Sequence, residues 1–153
     1  MDWPAALLRW FHELAAIVWL GLHYYTDLVY PRSRAAAAAA GSAAILDNYV
    51  ATRVGHGLRV SAIVAWVLGC GLLRTLSLPG HNAFVDAMLL RGIYAPIGIG
   101  AWIGTVMLVI TVWPMRTANV SAALIWARVN TVLSVPLLFF MAFGYSHQGI
   151  VGL

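Results

Sequence analysis

Five side chains that can bind a metal or move a proton lie within or beside long apolar stretches of this sequence. They are four histidines and one glutamate: His12, Glu13, His23, His56 and His147. Ionisable groups are costly in hydrocarbon, and those found there usually face the interior of a helix bundle and serve a function. Neutral imidazole is a good ligand for haem iron, copper and zinc. These residues are therefore the candidates for a functional site.

The spacing of the first two histidines places them on one face of a helix. His12 and His23 are eleven residues apart, which at about 100° per residue is three turns plus about 20°. At about 1.5 Å per residue they lie about 16.5 Å apart along the helix axis. Such a helix presents one imidazole towards each surface of a membrane.

Four apolar segments are long enough to position these residues in a bilayer. The chain has 153 residues, of which 62% are hydrophobic and 9% are charged, whereas soluble domains carry about 25% charged residues. A span needs roughly 20 apolar residues, and the segments that meet this length run from Ala5 to Tyr25, from Gly57 to Leu76, from Gly92 to Trp113 and from Val120 to Tyr145. The sequence therefore predicts one all-α domain over residues 1–153, an integral membrane four-helix bundle.

Two features outside the histidines bear on how these helices pack. Residues 31–53 form the longest connection, in which the Ala35–Ala40 run favours helix until Gly41 breaks it. We expect a helical connector there, or an amphipathic extension of the second span. In the third span, Gly100 and Gly104 form a small-xxx-small pair, which permits close helix packing inside the bundle or between subunits.

The arginines predict the orientation of the bundle and argue against nucleic-acid binding. The nine basic residues are all arginines, scattered singly along the chain, unlike the basic stripe of a nucleic-acid-binding surface. The side that holds the first and third loops has six of them, and the side that holds both termini has three. Because arginine-rich loops stay in the cytoplasm, we expect both termini on the non-cytoplasmic side.

This topology brings the histidines together in two pairs at two depths. The first two spans are antiparallel, so His23 and His56 share the cytoplasmic level, while His147 at the end of the fourth span shares the level of His12. Four-helix bundles hold cofactors between facing helices in this way. Ligation of haem iron by two histidines fits the pairs best. The sequence therefore predicts one or two haem b groups.

Three further residues complete the candidate site. Arg59 and Arg128 are predicted on the cytoplasmic rim, where a haem propionate needs a cation. Glu13 is a candidate proton relay or a hydrogen-bond partner of another helix, and it cannot simply pair with His12 because sequence neighbours point about 100° apart on a helix. A copper or zinc site without porphyrin stays an alternative, although the single Cys70 offers no cysteine cluster.

Several stretches of the spans share their motifs with a known family. In chain order they are Arg9–His12, Ile17–Tyr25, Arg59 with Gly69 and Gly71, Trp102–Gly104 leading to Val112–Pro114, Asn130-Thr131, Ser134–Met141 and Ser146-His147. They resemble the helices of the membrane domain of bacterial urate hydroxylases, the urate oxidase N-terminal domain family. The stretch from His12 to Gly21 is also loosely similar to a helix of four-helix membrane protoporphyrinogen oxidases and of copper-resistance membrane proteins.

The resemblance implies a multi-pass protein of the bacterial inner membrane with haem ligands at His12 and His147. In the urate hydroxylase family the membrane domain is often joined to a cytochrome c domain, whereas this sequence contains no Cys-x-x-Cys-His. Oxidation of urate itself is therefore an open question at this point.

Three functions stay open from the sequence. The first is a small b-type haem protein that transfers electrons, alone or in a respiratory or oxidase complex, with a quinone or a cytochrome c as partner. The second is a membrane oxidoreductase of the urate hydroxylase or protoporphyrinogen oxidase type. The third is a cofactor-free structural subunit, in a homo-oligomer or a larger complex, whose histidines are bonded only to water or backbone.

Overall fold

The computed structural model describes residues 3–77, 79–113 and 120–148, and in the last helix it describes the side chains of residues 124–142. Within this part of the chain the regular structure is helical and no strand occurs. The α-helices are α1 (Trp3–Tyr24), α2 (Tyr30–Ala39), α3 (Ala43–Tyr49), α4 (Gly55–Thr75), α5 (Ala83–Met88), α6 (Ala95–Val112) and α7 (Val120–Gln148). The all-α class expected from the sequence is confirmed.

Among the described residues, four helical stretches are long and apolar enough to cross a membrane. They are Trp3–Ala39, Ala43–Thr75, Gly92–Val112 and Leu124–Ala142, and each overlaps one of the predicted spans. The chain is therefore a multi-pass membrane protein. The first two stretches, with 37 and 33 residues, are about 55 Å and 50 Å long. They extend well beyond the roughly 30 Å of hydrocarbon.

A π-helical turn joins each of the first two membrane helices to its extension. α1 continues through Tyr25–Val29 into α2, and α3 continues through Val50–Val54 into α4. In the first turn the N–H of Tyr30 donates to the carbonyl of Tyr25, five residues earlier, and the next residue is Pro31. A proline ring clashes with the carbonyl four residues before it in a regular α-helix. The wider π turn accommodates that ring without ending the helix.

The connection between the first two spans is a helical hairpin, as the sequence predicts. α2 ends at Ala39, and Gly41 turns the chain with a φ of +72°, which residues with a Cβ rarely adopt. Nε of Arg34 lies 3.0 Å from Oδ1 of Asp47, and the hydroxyl of Tyr30 donates to the same oxygen at 2.6 Å. These polar contacts hold α2 against α3 beyond the apolar part of the helices.

The four membrane helices pack as two antiparallel pairs. α1 packs along α4, and α6 packs along α7, whereas contacts between the two pairs are fewer. Glycines lie in both of these helix contacts. On α4, Gly57 faces Leu22, Gly69 faces His12 and Gly71 faces Leu8 of α1. On α6, Gly100 faces Met141 and Gly104 faces Leu137 of α7. Small residues let helix backbones approach closely in a membrane. The Gly100 and Gly104 pair is therefore used inside the bundle.

The short helix α5 packs on the first turn of α6. A Cβ at Gly98 would overlap the backbone carbonyl of Ala87, so the two helices are in backbone contact there. The indole of Trp102 donates to the carbonyl of Met88 at 3.1 Å. These contacts fix the connection between α4 and α6 at one end of the bundle.

Candidate functional site

His12 is buried between α1 and α4, with 7% of its surface exposed. Its Nδ1 lies 2.8 Å from the backbone carbonyl oxygen of Ala65. Because a carbonyl oxygen only accepts hydrogen bonds, Nδ1 carries the proton and donates it. In the neutral ring the lone pair is then on Nε2. Within the described residues, Nε2 makes no hydrogen bond.

Gly69 provides the space that the imidazole occupies. A Cβ at position 69 would lie 3.0 Å from Cε1 of His12 and 3.3 Å from its Nδ1. A side chain of any size would therefore push the ring away from α4. The absence of a side chain lets the imidazole lie against the helix backbone, within reach of the Ala65 carbonyl.

His12 lines a cavity of about 380 Å³ to which all four membrane helices contribute residues. This volume falls in the range of small-molecule sites, roughly 300–1,000 Å³. Small residues on α4 and α6 contribute the space, among them Gly69, Gly100, Ala101 and Gly104. The walls are formed almost entirely by apolar atoms.

The cavity offers few polar groups to a ligand. The other hydrogen-bonding side chains of its lining bond within the protein: Trp66 donates to Thr105 at 3.0 Å, Trp19 donates to Thr111 at 3.4 Å, and Thr105 donates to the Ala101 carbonyl at 2.8 Å. His12 and Glu13 are therefore the main remaining polar residues of the lining, beside Cys70 with its weakly polar thiol.

Glu13 lies at an open edge of the cavity. Its side chain is 46% exposed, and it accepts a hydrogen bond from Nε of Arg9 at 2.9 Å. Three further lining residues are exposed, Ile17 on α1, Trp66 on α4 and Leu138 on α7. The cavity is thus only partly closed, and exposed lining residues lie on α1, α4 and α7.

His23 belongs to a buried polar cluster and does not line this cavity. Its Nε2 lies 3.1 Å from Oγ1 of Thr111 and 3.2 Å from Nδ2 of Asn130. Nδ2 of Asn130 also lies 3.0 Å from Oγ1 of Thr111 and 3.3 Å from the Met107 carbonyl. Within the described residues, Nδ1 of His23 and Oδ1 of Asn130 are buried without a hydrogen-bond partner. The cluster joins α1 to α6 and α7.

The structure does not bring His23 together with His56. Their levels along the bundle match the expectation, since Leu22 faces Gly57 across the contact between α1 and α4. His56, however, is exposed, whereas His23 is buried against α6 and α7. The two rings thus lie in different surroundings.

Neither arginine predicted to meet a propionate lines the cavity. Nε of Arg59 donates to the Gly55 carbonyl of its own helix at 3.1 Å. Nε of Arg128 lies 3.2 Å from Oδ1 of Asp27. Both arginines therefore bond to groups of the protein at the level of the His23 cluster, towards the end of the membrane helices away from His12.

The side chain of His147 lies outside the described residues. Its backbone belongs to α7, which ends at Gln148. His147 follows Met141, a cavity-lining residue, by six residues, or about 9 Å along the helix. Among the described residues no group of three or more His, Cys, Asp or Glu side chains is placed to hold a metal ion.

Two features of the site were not predicted from the sequence. The first is the carbonyl of Ala65, which orients His12 and carries no signal in a sequence of apolar residues. The second is the pairing of Thr111 with Asn130. Asn130 stands out as a polar residue within an apolar span, and that signal identifies it as a residue with a buried partner.

Comparisons with protein-family models, with curated proteins and with solved structures found no match. Inferences about this site therefore depend on its own geometry.

Proposed function

We propose that this chain is a small b-type haem-binding membrane protein that acts in electron transfer, alone or as a subunit of a respiratory or oxidase complex. The observation that carries the proposal is the state of His12. Its proton is fixed on Nδ1 by the Ala65 carbonyl, and His12 lines an apolar cavity. Histidines that ligate metals typically donate their other N–H to a carbonyl or carboxylate, which fixes the ring and its tautomer.

The cavity suits the body of a porphyrin. It lies between four facing helices, the position in which helix bundles bind cofactors. Its walls are apolar, and small residues on α4 and α6 widen it. The exposed parts of its lining give a flat, membrane-soluble group a route from the lipid.

The second residue that would hold the haem in this proposal is His147, assigned on the resemblance of the last span to the final helix of urate hydroxylase membrane domains. The same proposal includes that the chain is related to that family and that it lies in the bacterial inner membrane. So does the orientation with both termini outside the cytoplasm, which the arginine distribution supports. The proposal covers one haem, because His23 and His56 lie in different surroundings.

Electron transfer is favoured over oxidation of a polar heterocycle. When bound, a haem supplies one-electron chemistry. The chain's own contribution is to orient the His12 ring and to exclude water with an apolar wall. A substrate such as urate carries many hydrogen-bonding groups, and burying them without partners costs about 1–3 kcal/mol each. The lining, with His12 and Glu13 as its main polar groups, cannot satisfy them.

The test is haem binding by the purified protein. We expect the protein, isolated in detergent and mixed with ferric haem, to show a Soret band, and after reduction a sharp α band of a six-coordinate b-type haem. His12→Ala should remove most of this absorbance because the protein loses the imidazole that would hold the iron. The same titration of His147→Ala checks the second ligand.

His81→Ala is the matched control. His81 is also a histidine at the same end of the bundle, but it is exposed and bonds to Asp86 at 3.2 Å. This variant should bind haem like the unmodified protein. No Soret band in the unmodified protein, or equal binding by His12→Ala, would contradict the proposed function.

A further inference from the structure

We infer that Trp19 closes one end of the cavity, so that a ligand inside it reaches His12 and not His23. Each of these histidines has a ring nitrogen without a hydrogen bond among the described residues, Nε2 in His12 and Nδ1 in His23. Access therefore decides which of the two rings meets a ligand. The inference concerns where the cavity ends and holds for any occupant, so it goes beyond the proposed function.

Trp19 lies between the two histidines on one face of α1. It follows His12 by seven residues and precedes His23 by four, which is two turns less about 20° and one turn plus about 40°. Along the axis these separations are about 10.5 Å and about 6 Å. Trp19 is a lining residue of the cavity, whereas His23 and its partners Thr111 and Asn130 are not. The cavity thus ends at the indole.

Contacts with the His23 cluster hold the indole in this position. Its Nε1–H donates to Oγ1 of Thr111 at 3.4 Å. Thr111 can accept this bond because its own hydroxyl hydrogen is donated to the Met107 carbonyl at 2.8 Å. The ring centroids of Trp19 and His23 are 6.1 Å apart, with 57° between the ring planes. With 4% of its surface exposed, Trp19 is packed between the cavity and the cluster.

The indole separates an apolar space from polar groups that lack partners. Its one polar atom, Nε1, is bonded to Thr111, so the indole offers only carbon atoms to a ligand in the cavity. Behind it, Nδ1 of His23 and Oδ1 of Asn130 are buried without partners among the described residues. Such groups gain from any polar molecule that reaches them, and that molecule would compete for the hydrogen bonds that join α1 to α6 and α7. Trp19 thus keeps a ligand at His12 and protects the cluster from this competition.

Carbethoxylation of the histidines tests this assignment. Diethyl pyrocarbonate transfers an ethoxycarbonyl group to an unprotonated imidazole nitrogen, and tandem mass spectrometry gives the labelling rate at each histidine. The purified protein is labelled in detergent at neutral pH without added haem. In the unmodified protein we expect labelling of His12 and protection of His23. Trp19→Ala should raise the labelling rate at His23 by about ten-fold or more, because a protected group otherwise reacts only when the structure opens locally. Trp19→Phe, which keeps an aromatic ring, should raise it far less.

Trp66→Ala is the matched control. Trp66 is also a tryptophan of the cavity lining, and its indole also donates to a threonine of α6, Thr105, at 3.0 Å. Thr105 in turn donates to the Ala101 carbonyl of its own helix. Trp66→Ala should therefore leave the labelling rate at His23 unchanged. Circular dichroism verifies that the variants are folded, and Trp19→Leu replaces Trp19→Ala if the alanine variant does not fold.

The outcomes separate this inference from the proposed function. Labelling of His23 that rises only when Trp19 is truncated supports the inference. Equal labelling of His23 in the Trp19 and Trp66 variants, ready labelling of His23 in the unmodified protein, or no labelling of His12 would overturn it. None of these results depends on haem, so a failure to bind haem would end the proposed function and leave them intact.

Discussion

At the scale of single residues, the chemistry of this protein centres on one imidazole and the backbone that surrounds it. The Ala65 carbonyl decides which nitrogen of His12 carries the proton, and Gly69 decides where the ring lies. Neither neighbour is a reactive side chain. The position of the ring is therefore set by the close approach of two helices.

Gly69→Ala should weaken haem binding about ten-fold, in the range found when residues that orient a metal ligand are changed. The added Cβ would lie 3.0 Å from Cε1 of His12, so the ring must shift and its bond to Ala65 must lengthen. The dissociation constant for ferric haem, measured from the Soret change, checks this.

Gly21→Ala is the control for this substitution. An added Cβ at Gly21 meets no atom within 4 Å, and the exchange has the same effect on helix propensity. Equal haem affinity of the Gly69 and Gly21 variants would contradict the role assigned to Gly69.

At the scale of helices, α1 connects the two helix pairs. Its first half packs His12 against α4, and towards its end His23 contacts Thr111 of α6 and Asn130 of α7. The hydroxyl of Tyr24 pairs with that of Ser134 at 2.8 Å. Buried polar contacts thus hold the two helix pairs together at one end of their interface. The cavity lies at the other end of that interface.

Asn130→Ala should destabilise the bundle by about 1–2 kcal/mol, because it removes the donor that joins Thr111 and the Met107 carbonyl and approaches His23. Thermal unfolding in detergent, followed by circular dichroism, measures the effect. In Thr131→Ala, the control, the lost hydroxyl bonds only to the Ala127 carbonyl of its own helix. The free energy of unfolding of that variant should stay within about 0.5 kcal/mol of the unmodified protein. Equal losses of stability in Asn130→Ala and Thr131→Ala would contradict the linking role of the cluster.

Gly98→Ala should destabilise the protein by about 2 kcal/mol or more, because overpacking against a backbone carbonyl cannot be relieved by a rotamer change. The added Cβ would overlap the Ala87 carbonyl and separate α5 from α6. Gly104→Ala on the same helix places its Cβ 3.8 Å from Leu137, an ordinary contact, and should be tolerated. Unfolding temperatures compare the two variants, and similar values would show that α5 packing contributes little.

At the scale of the whole molecule, the two ends of the helix bundle carry different structural elements. One end carries the long helical hairpin of α2 and α3, with the Arg34 and Asp47 ion pair at its base. The other end carries α5, Arg9 and the cavity. The arginine distribution predicts that the hairpin is cytoplasmic and that the cavity lies in the opposite half of the bilayer.

Single-cysteine labelling tests this orientation. In a Cys70→Ala background, Ala40→Cys marks the tip of the hairpin and His81→Cys marks the other end; both positions are exposed. A membrane-impermeant maleimide should label position 81 in intact spheroplasts and position 40 in inverted vesicles. The reverse pattern would overturn the predicted orientation and place the cavity in the cytoplasmic half.

Much of this fold could be read from the sequence because the signals are local. Apolar length alone locates the four spans, and the alanine run ended by Gly41 predicts the helical connector. The eleven-residue interval predicts that His12 and His23 share a helix face, and both are buried. These properties depend on hydropathy and helix period, which one segment carries by itself.

The tertiary structure decided which of these residues meet. The period of a helix does not fix the rotation of its neighbours or their crossing angles, because these depend on how side chains of two helices interlock. For this reason the sequence could place His56 at the level of His23 but not show that it points outward. The Ala65 carbonyl beside His12 and the cavity that this residue lines likewise exist only once the helices pack.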